Sequence, residues 1–336
     1  MADELLGLLD RVLDARAGLL TGDHFSALRL FNGFLEGYPD LSVELFGRTL
    51  VLYDYRDHPE KSGDQLAEVR THLTARLPWV KAVIVKTRSA ADQTARRGVL
   101  VQGDEPDRMI VENVVRYALD LMLNQDAGFY LDACDLRAWL KEMSNGKSLL
   151  NTFAYTGSLG VAALAGGAVR VVQTDRNNRF LELARQSAAL NGFPKERHEV
   201  RTEDFFSTVA RFKRSGEVFD CVIVDPPFFS ATSRGRVDLE RESRRVINKV
   251  RPLIKDGGRL VAINNALFLS GADYYRQLQE LCGDGYLSIE TLIPVPEDCA
   301  GYPATRVGEP PVDPAPFNHS TKIAVLKVKR KSTSAA

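Results

Sequence analysis

The spacing of apolar residues divides this chain into two styles of folding. Near the start, Leu5, Leu8, Leu9, Val12 and Leu13 recur at helical intervals and predict a short amphipathic helix. Leu41, Val43 and Leu45 then alternate with polar residues, Gly47 supplies a turn, and Thr49, Val51 and Tyr53 resume the alternation, which describes a β-hairpin. Residues 65–77 read as a helix and 80–87 as a strand. The polar stretch 88–97 reads as a loop, and 109–115 with 117–123 as a second hairpin leading to Gly128. These elements make a small N-terminal α+β domain over residues 1–127.

From Lys147 the pattern becomes one of strands alternating with helices. Strands are expected at 148–151, 169–173, 199–202, 221–224 and 259–263, and helices at 158–165, 179–190 and 239–254. That succession predicts an α/β fold, a Rossmann-like doubly wound domain over residues 128–336. A helix at 274–282 follows, and strands at 287–293 and 322–328 form an antiparallel edge.

Composition sets bounds without changing this reading. The 336 residues are 44% hydrophobic and 26% charged, a globular balance with length for two domains. No run of about 18 apolar residues occurs and the amino terminus lacks the basic start of a signal peptide. A membrane is therefore not expected as a partner, and the cytoplasm is the expected location. The cysteines, Cys134, Cys221, Cys282 and Cys299, show no metal-binding spacing and read as reduced thiols, so no metal site is expected. Lysine plus arginine equals aspartate plus glutamate at 44 each, which argues against strong nonspecific nucleic-acid binding. Locally, residues 225–260 hold nine basic side chains against five acidic and residues 318–331 five against none. A solvated helix face and a frayed tail would explain both segments as well as an RNA groove would.

Candidate chemistry gathers at the carboxyl ends of the predicted strands, where ligands of such sheets bind. Val224-Asp225-Pro226-Pro227-Phe228 ends an apolar strand with a carboxylate, a diproline elbow that cannot continue a ladder, and an aromatic ring. A flat, nitrogen-bearing group could be stacked and hydrogen-bonded there. After the first strand comes Asn151-Thr152-Phe153-Ala154-Tyr155-Thr156-Gly157, whose glycine allows close backbone approach at a helix start. Asp175 follows the second strand at the position from which a carboxylate can grip ribose hydroxyls, with Arg176 beside it. Asp204 and Phe205 follow the third, an acid for an adenine amino group and a ring for its face. Each has a purely structural explanation: Asp175 and Asp204 could cap a helix or turn, and Gly157 could fit a tight turn. Their order on successive strand ends points instead to a nucleotide-like cofactor. The first loop lacks the glycine run and lysine of a P-loop, and S-adenosyl-L-methionine fits better.

These motifs, with Gly128-Phe-Tyr-Leu-Asp-Ala-Cys-Asp-Leu-Arg137 and Asn191-Gly192, resemble class I S-adenosylmethionine-dependent methyltransferases of the RlmI and RlmK/L type, which modify large-subunit ribosomal RNA. The likeness covers about residues 128–330, and the stretch from Arg29 to Pro39 is similar to the small domain that precedes the catalytic one in that family. The resemblance implies a methyltransferase sheet in which Phe129, Asp132 and Arg137 shape one wall of the cofactor pocket. It also implies that residues 151–157 hold the methionine end, Asp175 the ribose, and Asp204 with Phe205 the adenine. Two departures stand out. The RNA-binding PUA domain that opens one branch is expected to be absent, and the usual Gln-Arg after Leu-Asp is here Ala133-Cys134.

Methylation of carbon 5 of a pyrimidine needs a covalent nucleophile, normally a cysteine thiolate. The loop after the fifth strand reads Ile263-Asn264-Asn265-Ala266-Leu267, where the cytosine-modifying branch carries a cysteine and the guanine-modifying branch Asn-Asn. A nitrogen of ribosomal RNA, guanine favoured, is the expected target of an in-line transfer. Asp225 and the Pro226 carbonyl would orient the base, Phe228 would stack it, and Asn264 or Asn265 would bond its edge. Arg234, Arg236, Arg241, Arg244 and Arg245 follow closely enough to contact phosphates. A methyltransferase acting on a protein side chain or small molecule, and a catalytically silent cofactor-binding module, stay open as alternatives. So does the oligomeric state, a homodimer included. The proline-rich stretch 294–316 reads as a surface loop crossing near the site as a lid.

Overall fold

The computed structural model describes residues 2–57, 63–226, 229–232 and 235–330, and for 229–232 and 235–242 the backbone alone. Residue contacts divide the chain into two compact units, Met1–Asp132 with Pro296–Glu309, and Ala133–Val295 with Pro310–Ala336.

In the first unit a five-stranded sheet runs β1 (Ala27–Asn32), β2 (Leu41–Phe46), β3 (Thr49–Asp54), β4 (Ala82–Thr87) and β5 (Val99–Gln102), in that spatial order. β3 and β4 are parallel because the helix Gly63–Arg76 carries the chain back between them, and the other pairs are antiparallel. The helices Ala2–Ala15 and Gly63–Arg76 place Leu5, Leu9, Val12, Val69 and Leu73 over Leu30, Val43, Leu50 and Leu52 in one core. A separate hairpin, β6 (Met109–Glu112) with β7 (Val115–Ala118), follows. The expected first hairpin is present, and β1 and β5 are strands that the apolar pattern did not signal.

The segment 296–309 differs from the sequence reading, which put it in the second domain as a lid. It is tied into the first unit. Arg29 N–H donates to Asp298 Oδ2 at 2.7 Å and the Asn32 amide to the Cys299 carbonyl at 2.9 Å. Arg16, fully buried, forks onto the buried Glu36 at 3.0 and 3.2 Å and reaches the Asp298 carbonyl at 3.1 Å. A buried pair that lost one partner would leave an uncompensated charge, typically a cost of about 3–5 kcal/mol, so the strap is fixed by the charges beneath it.

The second unit carries a seven-stranded sheet built from β8 (Ser148–Asn151), β9 (Arg170–Asp175), β10 (His198–Thr202), β11 (Phe219–Val224), β14 (Ile254–Asn264), β15 (Leu287–Ile293) and β16 (Lys322–Val328). Between β11 and β14 lies a short hairpin of β12 (Phe229–Thr232) and β13 (Gly235–Asp238). The spatial order is β10-β9-β8-β11-β14-β16-β15, parallel except for β16, which runs against both neighbours. This is the expected doubly wound sheet with its antiparallel edge. Alternation along the strands feeds two cores. Leu150, Val222 and Val224 meet the helices Phe205–Ser215, Leu239–Val250 and Gly271–Cys282 on one face. Leu149, Cys221 and Ile223 meet Cys134–Met143 and Ser158–Ala165 on the other. Burial on both faces of the central strands β11, β14 and β16 explains their continuous apolar runs, whereas the edge strand β10 is polar and only partly buried.

Candidate active site

The strand order reverses between β8 and β11, so the loops after them leave toward opposite faces and open a crevice at their carboxyl ends. Residues 151–157 form its first wall, and none of them is exposed. Thr152 donates through N–H and Oγ1 to the Ile223 carbonyl at 3.2 and 2.9 Å, and Ala154 N–H to Thr174 at 2.9 Å. Tyr155 has a positive φ of 51°, and its N–H donates to Asp175 Oδ2 at 3.0 Å. The other carboxylate oxygen of Asp175 accepts Asn177 N–H at 2.9 Å. Gly157 is left-handed at φ 80°, and a Cβ there would stand 2.3 Å from Ala184 Cβ. Only glycine lets this loop settle onto the helix Asn178–Leu190.

Beneath the loop lies a buried polar strut that sequence reasoning missed. Gln173 fills the space left by Gly157 and Gly160, accepts from Asn151 Nδ2 at 3.4 Å, and places its Nε2 2.9 Å from His198 Nε2. With the amide donating, the ring nitrogen must accept and stay unprotonated. Burial, and then the charge of Arg185, hold the imidazole down at about 4. Asn151 is 1% exposed and its Oδ1 is a buried acceptor without a partner. The available signal was a glutamine directly after the two valines of β9, in the middle of a strand.

The predicted adenine pair has structural duties. Asp204 caps the helix Phe205–Ser215, accepting Phe206 N–H at 3.0 Å and Ser207 N–H at 3.1 Å, with Ser207 Oγ at 2.6 Å on its other oxygen. Phe205 is buried, and the half-buried Phe153 stacks over it at 5.0 Å and 16°. Thus Phe153 is the ring nearer solvent. Arg176 is exposed and Arg137 fully buried in Cys134–Met143. Phe129 and Asp132 belong to the first unit, where Phe129 tilts against Tyr117 at 5.1 Å.

Asp225 is half-buried and Pro226 buried at the end of β11, between the loops after β8 and β14. Phe228 lies outside the described residues, as does Arg234, and the side chains of Arg236 and Arg241 are likewise outside them. Tyr274, buried in the helix Gly271–Cys282, has its hydroxyl pKa raised by burial and then by the charge of Asp225. Across on β14, Asn264 is fully buried: its Oδ1 accepts Ala266 N–H at 3.0 Å while its Nδ2 is unpartnered. Asn265 is exposed. The two asparagines therefore separate into a strut and an accessible amide. Arg244 pairs with Glu280 on the surface at 2.7 Å.

No thiol occupies the end of β14. Cys221 is buried within β11 and pushed up to about 12 by desolvation, Cys299 is buried in the first unit, and Cys134 and Cys282 are half-buried on helices. A thiol held protonated in an apolar strand is a packing group.

The reversed strand order, the glycine-turned loop and the acids on successive strand ends define a doubly wound cofactor-binding domain. A model of the S-adenosylmethionine-dependent methyltransferase family matches residues 29–291, and the chain belongs to that family. It is 30% identical over 281 residues to the ribosomal RNA large subunit methyltransferase I of Photobacterium profundum, covering 80% of this chain and 69% of that protein. The Erwinia tasmaniensis protein of the same name is 28% identical over 263 residues, covering 76% and 65%. The chain thus spans about two thirds of the length of these relatives. A solved methyltransferase complexed with SAH superposes with a TM-score of 0.84 at 21% identity, over 97% of this chain and 82% of that one, a likeness of fold. No helix among the described residues is long and apolar enough to cross a membrane.

Proposed function

We propose that this protein methylates a base nitrogen of large-subunit ribosomal RNA, guanine favoured, by direct in-line transfer. The carrying observation is a half-buried carboxylate at the end of β11 whose neighbouring strand end offers amides and no thiol. S-adenosylmethionine supplies an electrophilic methyl group on a sulfonium. The unpartnered Asn151 Oδ1 is a ready acceptor for the cofactor's ammonium, and Thr156 and Gly157 line the same end. Asp175, anchored by two backbone N–H groups, presents its carboxylate to the ribose with Arg176 beside it. Phe153, backed by Phe205, covers the adenine face, and Asp204 faces its amino group.

On the acceptor side, a base nitrogen already has or can develop a lone pair, so positioning does most of the work. Asp225 and the Pro226 carbonyl accept hydrogen bonds from the base; a nitrogen with a free lone pair is alkylated with no proton released, and one that carries a hydrogen gives its proton to the Asp225 carboxylate. Asn265 bonds the base edge, with Asn264 supporting it from inside the loop. The relatives named for large-subunit ribosomal RNA support RNA as the substrate. Incubation with labelled S-adenosylmethionine and protein-free large-subunit RNA, small-subunit RNA or ribosomal protein tests this. Label is expected in the large-subunit RNA alone; label in protein would transfer the reading to a protein substrate.

A further inference from the structure

The loop after β14 carries a feature that the reading above leaves unused. Leu267 and Phe268 are 53% and 68% exposed, large apolar side chains facing solvent in the described part of the second unit. Single exposed apolar residues are ordinary on protein surfaces. These two differ because the loop that presents them is fixed at both ends and leaves the carboxyl end of β14, the strand beside β11 and Asp225.

At the start, parallel register pairs Val224, the last residue of β11, with Ala262, so the end of β14 at Ile263 and Asn264 runs on beside the strand end that Asp225 follows. At the finish, Ser270 caps Gly271–Cys282 through Asp273 N–H at 3.1 Å, and one turn later comes Tyr274, which feels the Asp225 charge. Gly271 N–H donates to the Asp313 carbonyl at 2.9 Å, and a Cβ at Gly271 would sit 1.7 Å from the Pro314 carbonyl oxygen, so that end cannot slide. In the middle, the buried Lys322 directs its ammonium at the carbonyls of Ala266, 2.9 Å, and Ser320, 2.6 Å. Burying an ammonium without a carboxylate is costly, and here its hydrogen bonds go to backbone oxygens, one of them immediately before Leu267. Lys322 thus acts as a post under the arch.

We propose that Phe268 is the aromatic platform on which the substrate base stacks beside Asp225, with Lys322 as the positioning residue that fixes its loop. The proposal rests on the RNA-base reading above. A base has a π-face whatever its identity, and an exposed ring on a rigid arch can meet it without an ordering cost. The occupant is a single unstacked RNA base, and Leu267 lies along its edge or its neighbour.

The test compares wild type, Phe268→Ala, Phe268→Tyr and Lys322→Met for steady-state methylation of large-subunit RNA and for calorimetric binding of S-adenosylmethionine. Phe268→Ala is expected to raise the KM for RNA about tenfold or more while cofactor affinity and Tm stay at wild-type values, and Phe268→Tyr to restore the KM. Lys322→Met is expected to raise the same KM with cofactor binding retained; should it fail to fold, the Phe268 pair decides alone. An active wild type with an unchanged KM in Phe268→Ala would overturn the platform and leave the RNA reading intact. A wild type that binds cofactor yet methylates only protein or a small molecule would overturn both.

Discussion

The loops after β8 and β14 flank Asp225 and are built in opposite ways. The first has no exposed residue, with Phe153 and Tyr155 half-buried and the rest buried, and it is tied by its backbone to Ile223, Thr174 and Asp175 and seated by Gly157 on the helix behind it. The second is held by the Lys322 ammonium, the Asn264 amide, a helix cap and the Gly271 bond to Asp313, and it turns an amide, Asn265, and two apolar side chains to solvent. A loop that serves a fixed small cofactor can be closed against the protein. One that meets a macromolecule must leave its contact groups outside. The difference teaches that the substrate wall is to be sought among exposed side chains on braced backbone, and the cofactor wall among buried ones.

Substitutions can break this comparison. Asp225→Asn, between the loops, is expected to lower methyl transfer roughly 10²- to 10³-fold with cofactor affinity within a few-fold of wild type, read by single-turnover kinetics and calorimetry. Gly157→Ala forces a Cβ into Ala184 at a left-handed position and should cost roughly 3 kcal/mol in urea unfolding together with cofactor binding. Failure of that loss would show the first loop to be as tolerant as the second.

The polar strut beneath the first loop predicts a pH dependence. His198 has its folded pKa lowered to about 4 from 6.5, so the unfolded chain binds more protons between these values and stability falls as pH drops through that window. Between pH 7 and 4.5 the wild type should lose about 2 kcal/mol more than His198→Gln, which keeps an acceptor for Gln173 and cannot charge. Equal slopes in the two proteins would remove the strut from the account. The smallest effect is expected for Asn265→Ala, a KM for RNA raised roughly threefold to fivefold at unchanged Tm, the worth of one exposed hydrogen bond of about 1 kcal/mol.

Much of this was legible in the chain. The central strands of the doubly wound sheet announced themselves because burial on both faces leaves continuous apolar runs, and Gly157, Asp175 and Asp225 stand in the stretches at the strand ends. What escaped was long-range. Nothing near Asp298 reveals that its backbone carbonyl will be taken by Arg16 from the other end of the chain, so the stretch 294–316 read as a surface loop serving as a lid. Asp204 and Phe205 were read by position, whereas the cap and the stack with Phe153 depend on rotamers that a sequence does not carry. Lys322 opens an apolar strand and gave only a charge count, because its meaning lies in the Ala266 carbonyl across the sheet.

The atom that receives the methyl group separates a thiol-free nitrogen transfer from carbon methylation. Large-subunit RNA methylated by the wild-type protein with labelled S-adenosylmethionine, digested to nucleosides and resolved by mass, with Asp225→Asn in parallel, reads that atom directly. A labelled methylguanosine that disappears in the variant is the predicted result. Labelled 5-methylcytidine would contradict it, since that product needs a nucleophilic thiol, and the loop after β14 carries none while Cys221 and Cys299 are buried.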